Sequence, residues 1–199
     1  MIYTDWAEAI ARNHLAGPLP RRWAHSHGVA ATSQTLTPVL GEDAELVTAA
    51  AWLHDIGYAP GLRTTGFHPL DGARYLRDTH HTDPLLCRLV AHHSCAINEA
   101  AERGLAADLV REFELAPRDL TDALIYCDMT TGPDGRPTTV ERRLSEICAR
   151  YGPGHPVTRA VARSRPELTS AVSRITRKLA GTAPSHAHSA APTMPTLVV

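Results

Sequence analysis

The sequence lacks an apolar run that could cross a membrane, and it lacks an excess of charge. Its longest mostly apolar stretch, 47–53 with Thr48 inside it, is far shorter than the roughly 20 residues that a membrane helix needs. The formal net charge is -1 at pH 7, which gives no electrostatic reason to bind nucleic acid. The first residues, MIYTDWAEAI, show no basic and apolar signal region. We therefore expect a cytoplasmic protein without a membrane or nucleic-acid partner.

Lysine and cysteine are scarce, whereas histidine is abundant. Lys178 is the only lysine among the 20 basic residues. The four cysteines show no CxxC spacing, so we expect reduced, half-buried thiols rather than a disulfide framework. The chain has 12 histidines. Histidines gather at metal sites but also scatter over surfaces, so their positions along the predicted helices must decide between the two.

Nearly every segment repeats its apolar residues at the helical period, and no long stretch alternates as a strand does. The chain is therefore predicted to be an all-α, single-domain helical bundle. The helical domain is predicted over 1–181, with a motif-bearing core at about 20–131, C-terminal helices at 138–181 and a disordered tail at 182–199. A capping box of Thr138 and Glu141 is expected to begin the helix at 138. The predicted helices are 4–15, 20–39, 42–55, 69–79, 84–93, 97–103, 106–114, 117–130, 138–150 and a pair after Pro156 that separates at Pro166.

The second predicted helix carries two histidines on different faces. His25, Val29 and Leu36 fall at i, i+4 and i+11, which lie on one face of a helix. His27 is rotated from His25 by about 200°. We therefore predict that His25 faces the core and that His27 faces solvent.

Two carboxylates are predicted to end apolar stripes. His54 borders the apolar stripe of its helix, and Asp55 follows at the helix end. Asp128 ends the apolar row that Leu120 and Leu124 begin. A carboxylate that leaves water needs compensation worth several kcal/mol. Either residue alone could simply face solvent, but two such carboxylates call for a neutralising group.

Three further histidines border the predicted core. His92 and His93 extend the apolar rows of their helix, and His68 precedes Pro69 at a helix N-terminus. A cation would neutralise the buried carboxylates and use neutral imidazoles as ligands. Nitrogen and oxygen ligands without thiolate suit one or two ions of Fe, Mn, Co, Ni or Mg rather than structural zinc. The predicted metal ligands are His25, His54, Asp55, His68, His92, His93 and Asp128.

The segments RWAHSHGVA, LHDIG and IYCDMT resemble the HD-domain superfamily of metal-dependent phosphohydrolases. The signature of that superfamily is H…HD…D, carried by helices. The resemblance covers about 22–131 and implies an HD-type helical bundle with a divalent metal. The residues that match the signature are His25, His54, Asp55 and Asp128.

The remaining histidines are similar to those of the dinuclear branch of this superfamily. There, extra histidines between the HD pair and the last Asp hold a second metal, and the HD aspartate bridges the two ions. His68, His92 and His93 follow the same order. The GYP and HTTG segments of two relatives are absent, and Tyr58 stands where many members carry a lysine.

The resemblance implies hydrolysis of a nucleotide or another small phosphate ester by a metal-activated water, with Asp55 at the catalytic centre. Arg63 is a candidate for catalysis and for phosphate binding, because the guanidinium fork matches phosphate oxygens. Asp71, one turn after His68, is a candidate general base or supporting residue. Further substrate-binding candidates are Arg22, Thr131 and Arg136.

Two other functions remain open at this stage. Some HD proteins with a richer histidine set resemble diiron oxygenases, which a redox-active iron pair and dioxygen consumption would reveal. A non-catalytic metal-binding or ligand-sensing domain would bind metal and leave phosphate esters intact. The sequence is compatible with a homo-oligomer and does not identify the substrate.

Overall fold

The computed structural model describes residues 3–182, and their regular structure is helical apart from one isolated bridge between Thr131 and Pro137. This confirms the predicted all-α class. Within the described residues, no helix is both long enough and apolar enough to cross a membrane. The α-helices are α1 Tyr3–Ala11, α2 Pro20–Gln34, α3 Thr37–Leu40, α4 Ala44–Leu53, α5 His68–His80, α6 Pro84–His92, α7 Ala96–Glu102, α8 Ala106–Glu112, α9 Arg118–Met129, α10 Val140–Tyr151 and α11 Pro156–Thr182. The tail predicted at 182–199 lies outside the described residues, except for Thr182.

The predicted helix at 20–39 is divided into α2 and α3. Pro38 has no N–H, so it cannot continue the hydrogen-bond ladder to the carbonyl of Gln34. The Thr37 hydroxyl donates to that carbonyl instead, at 2.8 Å. The Thr35 hydroxyl likewise donates to the Thr32 carbonyl at 2.7 Å. These local side-chain bonds compete with the helix and end it early.

The C-terminal region corrects two predictions. The prediction of two helices after Pro156 that separate at Pro166 is wrong, because a single helix, α11, runs unbroken through Pro166. Pro166 is exposed, whereas Ser164 and Leu168 on either side are buried, so packing holds the helix together across the missing hydrogen bond. The cap of α10 is Thr139, whose side chain accepts from the Arg142 N–H. Thr138, the predicted cap, instead donates its N–H to the Thr130 carbonyl.

Helix α4 lies at the centre of the larger apolar core and packs against α1, α2, α6 and α9. Its residues from Val47 to Leu53 are all buried, which explains the continuous apolar run in the sequence. A second, smaller core joins α9 to α10 and α11. Both cores border α9, whose C-terminal end carries Asp128. The fold therefore brings one carboxylate to the junction of the two cores.

Two glycines let backbones approach each other beside the functional site. A Cβ at Gly57 would lie 2.1 Å from the carbonyl oxygen of His68, so only glycine lets the start of α5 pack against the turn after Asp55. A Cβ at Gly28 would lie 2.3 Å from the carbonyl oxygen of Gly135. This second contact holds the loop after α9 against α2, the helix that carries His25.

Candidate metal centre

Six buried side chains from distant parts of the chain meet in two adjacent groups. In each group the candidate ligand atoms lie within 4.8 Å of one another. The groups adjoin, because His54 Nε2 in one lies 3.6 Å from Asp55 Oδ2 in the other. The first group is His25, His54 and Asp128, and the second is Asp55, His68 and His93.

Backbone carbonyls fix the tautomers of three of these histidines. A carbonyl oxygen only accepts hydrogen bonds, so a ring nitrogen that contacts one must carry the proton. In each of the three rings Nδ1 is therefore the donor, and in the neutral ring Nε2 keeps its lone pair for the site. Such support from the other ring nitrogen is usual for metal-binding histidines. The Nδ1 contacts are His25 to Gly132 at 2.9 Å, His54 to Ala51 at 2.8 Å and His93 to Val90 at 2.7 Å.

The Nε2 lone pairs of His25 and His54 have different neighbours, and Arg143 Nη2 lies 3.2 Å from that of His25. His25 Nε2 lies 3.0 Å from Asp128 Oδ1, and an ionised carboxylate only accepts. His54 Nε2 is buried and has no hydrogen-bond partner among residues 3–182. The ring centre of His54 lies 5.3 Å from that of His25 and 5.2 Å from that of His93. A cation beside these rings would give the unpartnered Nε2 of His54 a ligand bond.

The ionisation states are those that a metal site needs. Burial acts to raise the pKa of Asp55, but the charge of Arg22 and the contacts with His54 and His68 outweigh it and hold that pKa well below its ordinary value. Burial opposes ionisation of Asp128 in the same way, and its pKa is also held well below the ordinary value, mainly by its contact with His25, with a further contribution from the charge of Arg143. Burial lowers the pKa of His68 and of His93, so neutral imidazoles face ionised carboxylates.

A family model of the HD domain matches residues 22–148, which is well over half of the chain. The chain belongs to the HD-domain family. No curated protein and no solved structure shows a significant match to it. The matched range contains both ligand groups of the HD domain, and it ends before α11 begins.

Arg22 and Tyr58 form one wall of the HD-domain site. Arg22 donates to Asp55 Oδ2 at 2.6 Å, and its guanidinium lies 3.8 Å from the centre of the Tyr58 ring. The same ring stacks on His68 with the centres 3.9 Å apart. Arg22, predicted to bind substrate, thus pairs with a candidate metal ligand at the edge of the site. Tyr58, at the position of the family lysine, packs against both partners of Asp55.

His92 lies apart from both ligand groups. Its Nε2 is 2.8 Å from the carbonyl oxygen of Phe113, so it is a buried histidine that the backbone satisfies. Helix α6 ends at His92, and the backbone then becomes extended at His93, with ψ at 148°. This turn directs the adjacent side chains to different neighbours. The structure therefore does not support His92 as a metal ligand, whereas it places His93 with Asp55 and His68.

Asp71 does not have the surroundings of a general base. Its carboxylate accepts hydrogen bonds from Thr64, Thr65 and Gly66 in the loop that precedes α5. Burial acts to raise its pKa, but these hydrogen bonds lower the pKa below the ordinary value. A carboxylate with occupied oxygens and a lowered pKa is a weak base. The structure indicates instead that Asp71 fixes the conformation of the loop.

The other predicted substrate-binding residues lie outside the cavity beside the ligand groups. Arg63 is exposed. Arg136 is exposed and lies 3.7 Å from Asp134. Thr131 is buried, and its hydroxyl lies 3.2 Å from that of Thr32. The structure therefore does not bring these three to the site.

The sequence reasoning missed Arg143, which is only 4% exposed. Its Nη2 lies 3.2 Å from His25 Nε2 and 3.5 Å from Asp128 Oδ1, and its Nη1 donates to Glu146 at 2.9 Å. A signal was present, because Arg143 stands among Val140, Leu144 and Ile147 on the buried stripe of α10. A charged residue on an apolar stripe indicates a buried charge that needs partners, and here the partners are His25, Asp128 and Glu146.

Ser94 was also missed. Its hydroxyl donates to Asp128 Oδ2, while its backbone adopts a left-handed conformation with φ at 49°. Cys95 follows with φ at 59°. Such strained residues concentrate at functional sites. The left-handed conformation comes directly after the extended backbone at His93. It places the Ser94 hydroxyl beside Asp128 of the first ligand group.

Proposed function

We propose that this HD domain is a metal-dependent phosphohydrolase that cleaves a nucleotide or another small phosphate ester. The observation that carries the proposal is the set of three histidines whose Nδ1 atoms donate to carbonyls and whose Nε2 atoms meet two ionised, buried carboxylates. Membership of the HD-domain family supports the same chemistry.

The donor set fits one or two divalent cations with a preference for nitrogen and oxygen, such as Fe, Mn, Co, Ni or Mg. The first group would hold one ion and the second group another, with Asp55 beside both because of its contact with His54. When bound, such a cation supplies Lewis acidity, which lowers the pKa of water and polarises a phosphoryl oxygen.

The protein itself supplies positive charge beside the ligand groups, and part of that charge is buried away from water. Arg143 and Arg22 both line the cavity next to the ligand groups, so an anionic substrate would enter between two guanidinium groups. Arg143 is almost fully buried, and its Nε finds no acceptor within the part of the chain that the structure describes. A phosphoryl oxygen in the cavity would meet the positive charge of Arg143, and burial strengthens such an interaction relative to one in water.

The test is the metal content and the activity of the protein purified without chelators or a histidine tag. We expect about one or two equivalents of a divalent metal in the wild type and hydrolysis within a panel of phosphate esters. Asp55→Ala and His25→Ala should lose both. His27→Ala is the matched control for His25→Ala, because His27 is exposed on the same helix and should keep both.

The alternatives give different results. A metal-loaded protein that consumes dioxygen and leaves every ester intact would indicate a diiron oxygenase. A metal-loaded protein inert in both assays would indicate a binding or sensing domain. Absence of bound metal, with no activity after addition of Mn, Co or Ni, would refute the proposal.

A further inference from the structure

The cavity beside the ligand groups changes from polar to apolar along its length. At one end it is lined by Asp55, His68, His93 and Asp128 together with Arg22 and Arg143. Many of its other lining residues belong to α10 and α11 and have hydrocarbon side chains, although Glu99 of α7 and Arg150 and Tyr151 of α10 also line it. The hydrocarbon side chains include Leu144 and Ile147 of α10 and Val157, Ala160 and Leu168 of α11. An occupant that reaches from the ligand groups into this part must therefore be anionic at one end and apolar at the other.

One apolar wall of the cavity lies outside the range that matches the family model. Both ligand groups lie within residues 22–148, which match the HD-domain model. Helix α11, Pro156–Thr182, lies entirely after that range. This helix supplies one wall of the cavity by packing along α9 and α10. The metal-binding end and the α10 wall with Leu144 and Ile147 thus lie inside the matched range, whereas the α11 wall lies outside it.

The polar side chains beside the apolar walls have partners within the protein. Arg150 contacts Glu146 at 3.5 Å, and Tyr151 is hydrogen-bonded with Tyr58. The Ser164 hydroxyl is buried and accepts from the Asn98 amide at 2.8 Å. The Glu99 carboxylate accepts from Arg103 at 2.7 Å. Ribose hydroxyls or a nucleobase edge placed against these walls would lose water without gaining equivalent partners, which is unfavourable. An alkyl or aryl group would lose no hydrogen bond there.

We propose that the cavity selects small phosphate monoesters whose organic group is apolar, in preference to nucleotides. This inference rests on the proposed function for the reaction itself and goes beyond it in naming the substrate class. The phosphoryl group lies at the ligand groups between the guanidinium groups of Arg22 and Arg143. The apolar group lies between α10 and α11.

The probes are alkylphosphonates, because their P–C bond resists hydrolysis and so separates binding from catalysis. Calorimetry with the full chain would compare methylphosphonate, butylphosphonate and AMP. Each buried methylene contributes about 0.8 kcal/mol, or roughly a four-fold gain in affinity. We expect butylphosphonate to bind at least about 20-fold more tightly than methylphosphonate, with a more negative heat-capacity change. AMP should bind more weakly than butylphosphonate.

Two substitutions on α11 locate the effect. Ala160→Leu fills the apolar part of the cavity and should abolish the gain from methyl- to butylphosphonate. Ala162→Leu is the matched control, because Ala162 is exposed on the same helix and should keep the gain. Should Ala160→Leu prove unstable in a thermal melt, Val161→Asp replaces it. Val161 lines the cavity but is only partly buried. The carboxylate of the introduced aspartate would repel the phosphonate and would make binding of the alkyl chain unfavourable.

The outcomes separate this inference from the proposed function. Affinities that do not change with chain length, tighter binding of AMP, no phosphonate binding, or equal effects of the two alanine substitutions would overturn the inference. If esters were nevertheless cleaved, the phosphohydrolase function would stand. Binding that rises with chain length, without cleavage of butyl phosphate or any other ester, would support the apolar selectivity and refute the hydrolase.

Discussion

The two carboxylates of the site are neutralised in different ways. Asp55 has a close partner, Arg22, at 2.6 Å, and that arginine side chain is 19% exposed. Asp128 has a distant one, Arg143, at 3.5 Å, which is 4% exposed and also pairs with Glu146. The arginine that neutralises Asp128 is therefore farther from its carboxylate and more deeply buried than the arginine that neutralises Asp55. The first ligand group depends more on a bound cation than the second.

The largest expected effect is that of Arg143→Met in metal-free protein. Removal of one partner from a buried ion pair leaves an uncompensated charge and typically costs about 3–5 kcal/mol. Arg22→Met should cost less, roughly 1–2 kcal/mol, because water reaches that pair. Urea unfolding in the presence of a chelator measures both. Added Mn²⁺ should recover more stability in Arg143→Met than in Arg22→Met, and equal losses with equal recovery would contradict the comparison.

Gly57→Ala should break the second ligand group while leaving the first in place. A Cβ at this position would meet the His68 carbonyl at 2.1 Å, so α5 must move away from the turn that carries Asp55. Overpacking of this kind costs about 1–3 kcal/mol. We expect this loss in urea unfolding, together with loss of about half of the bound metal in a protein that binds two ions.

The control for this prediction is Gly17→Ala. A Cβ at Gly17 would have no atom within 4 Å, and its φ of -75° suits any residue. This variant should match the wild type in stability and in metal content. A wild-type result for Gly57→Ala would show that the approach of α5 to the Asp55 turn does not require glycine.

Two substitutions of Ser94 should separate backbone strain from the hydrogen bond to Asp128. Ser94→Ala removes the hydroxyl and keeps a Cβ in the left-handed conformation, which costs roughly 1–2 kcal/mol for a residue other than glycine. Ser94→Gly removes both. Both variants should bind metal more weakly, and Ser94→Gly should be more stable than Ser94→Ala by about 1 kcal/mol in chelator. Equal stabilities would mean that the strain is not stored at this residue.

The periodicity of the sequence was enough to predict the helical class and to place the HD residues. His25, His54, Asp55 and Asp128 each end or border an apolar stripe, so their burial follows from local pattern, and the structure brings all four together. Pro166 was misjudged because a helix can continue past proline when buried residues on both sides hold it. Propensity alone does not contain that tertiary contribution.

The remaining site residues depend on information that a local pattern lacks. His92 and His93 are adjacent and equally apolar in context, and only the backbone turn at the end of α6 separates their roles. Arg63 and Arg136 were chosen for their loops, yet distance along the chain does not say which loops reach the site. Arg143 lies far along the chain from His25, and only the packing of α10 beside α2 and α9 brings them together.

The smallest effect is expected at a carboxylate that arginines neutralise at the surface. Glu112 accepts from Arg74 and Arg77, both at 3.0 Å, on the outside of α5. Hydrogen bonds from Arg74 outweigh burial and, with Arg77, lower the pKa of Glu112 from 4.5 to about 2. A lowered pKa stabilises the folded state fully above pH 4.5, and that contribution is lost as the pH falls from about 4.5 to 2.

Glu112→Gln should therefore remove part of the acid dependence of the unfolding free energy over this pH range. Water screens the pair, so we expect a change of about 1 kcal/mol or less. The measurement is urea unfolding of the wild type and the variant at pH 5.5 and at pH 3, each with chelator, so that metal loss at low pH does not enter. Asp78→Asn is the comparison. The Arg77 hydrogen bond also lowers the pKa of Asp78, but Asp78 pairs with Arg77 alone and is 60% exposed, so this variant should change the acid dependence less than Glu112→Gln. An equal slope in Glu112→Gln and the wild type would show that arginine pairing at the surface contributes nothing measurable, in contrast to the buried pairs of the site.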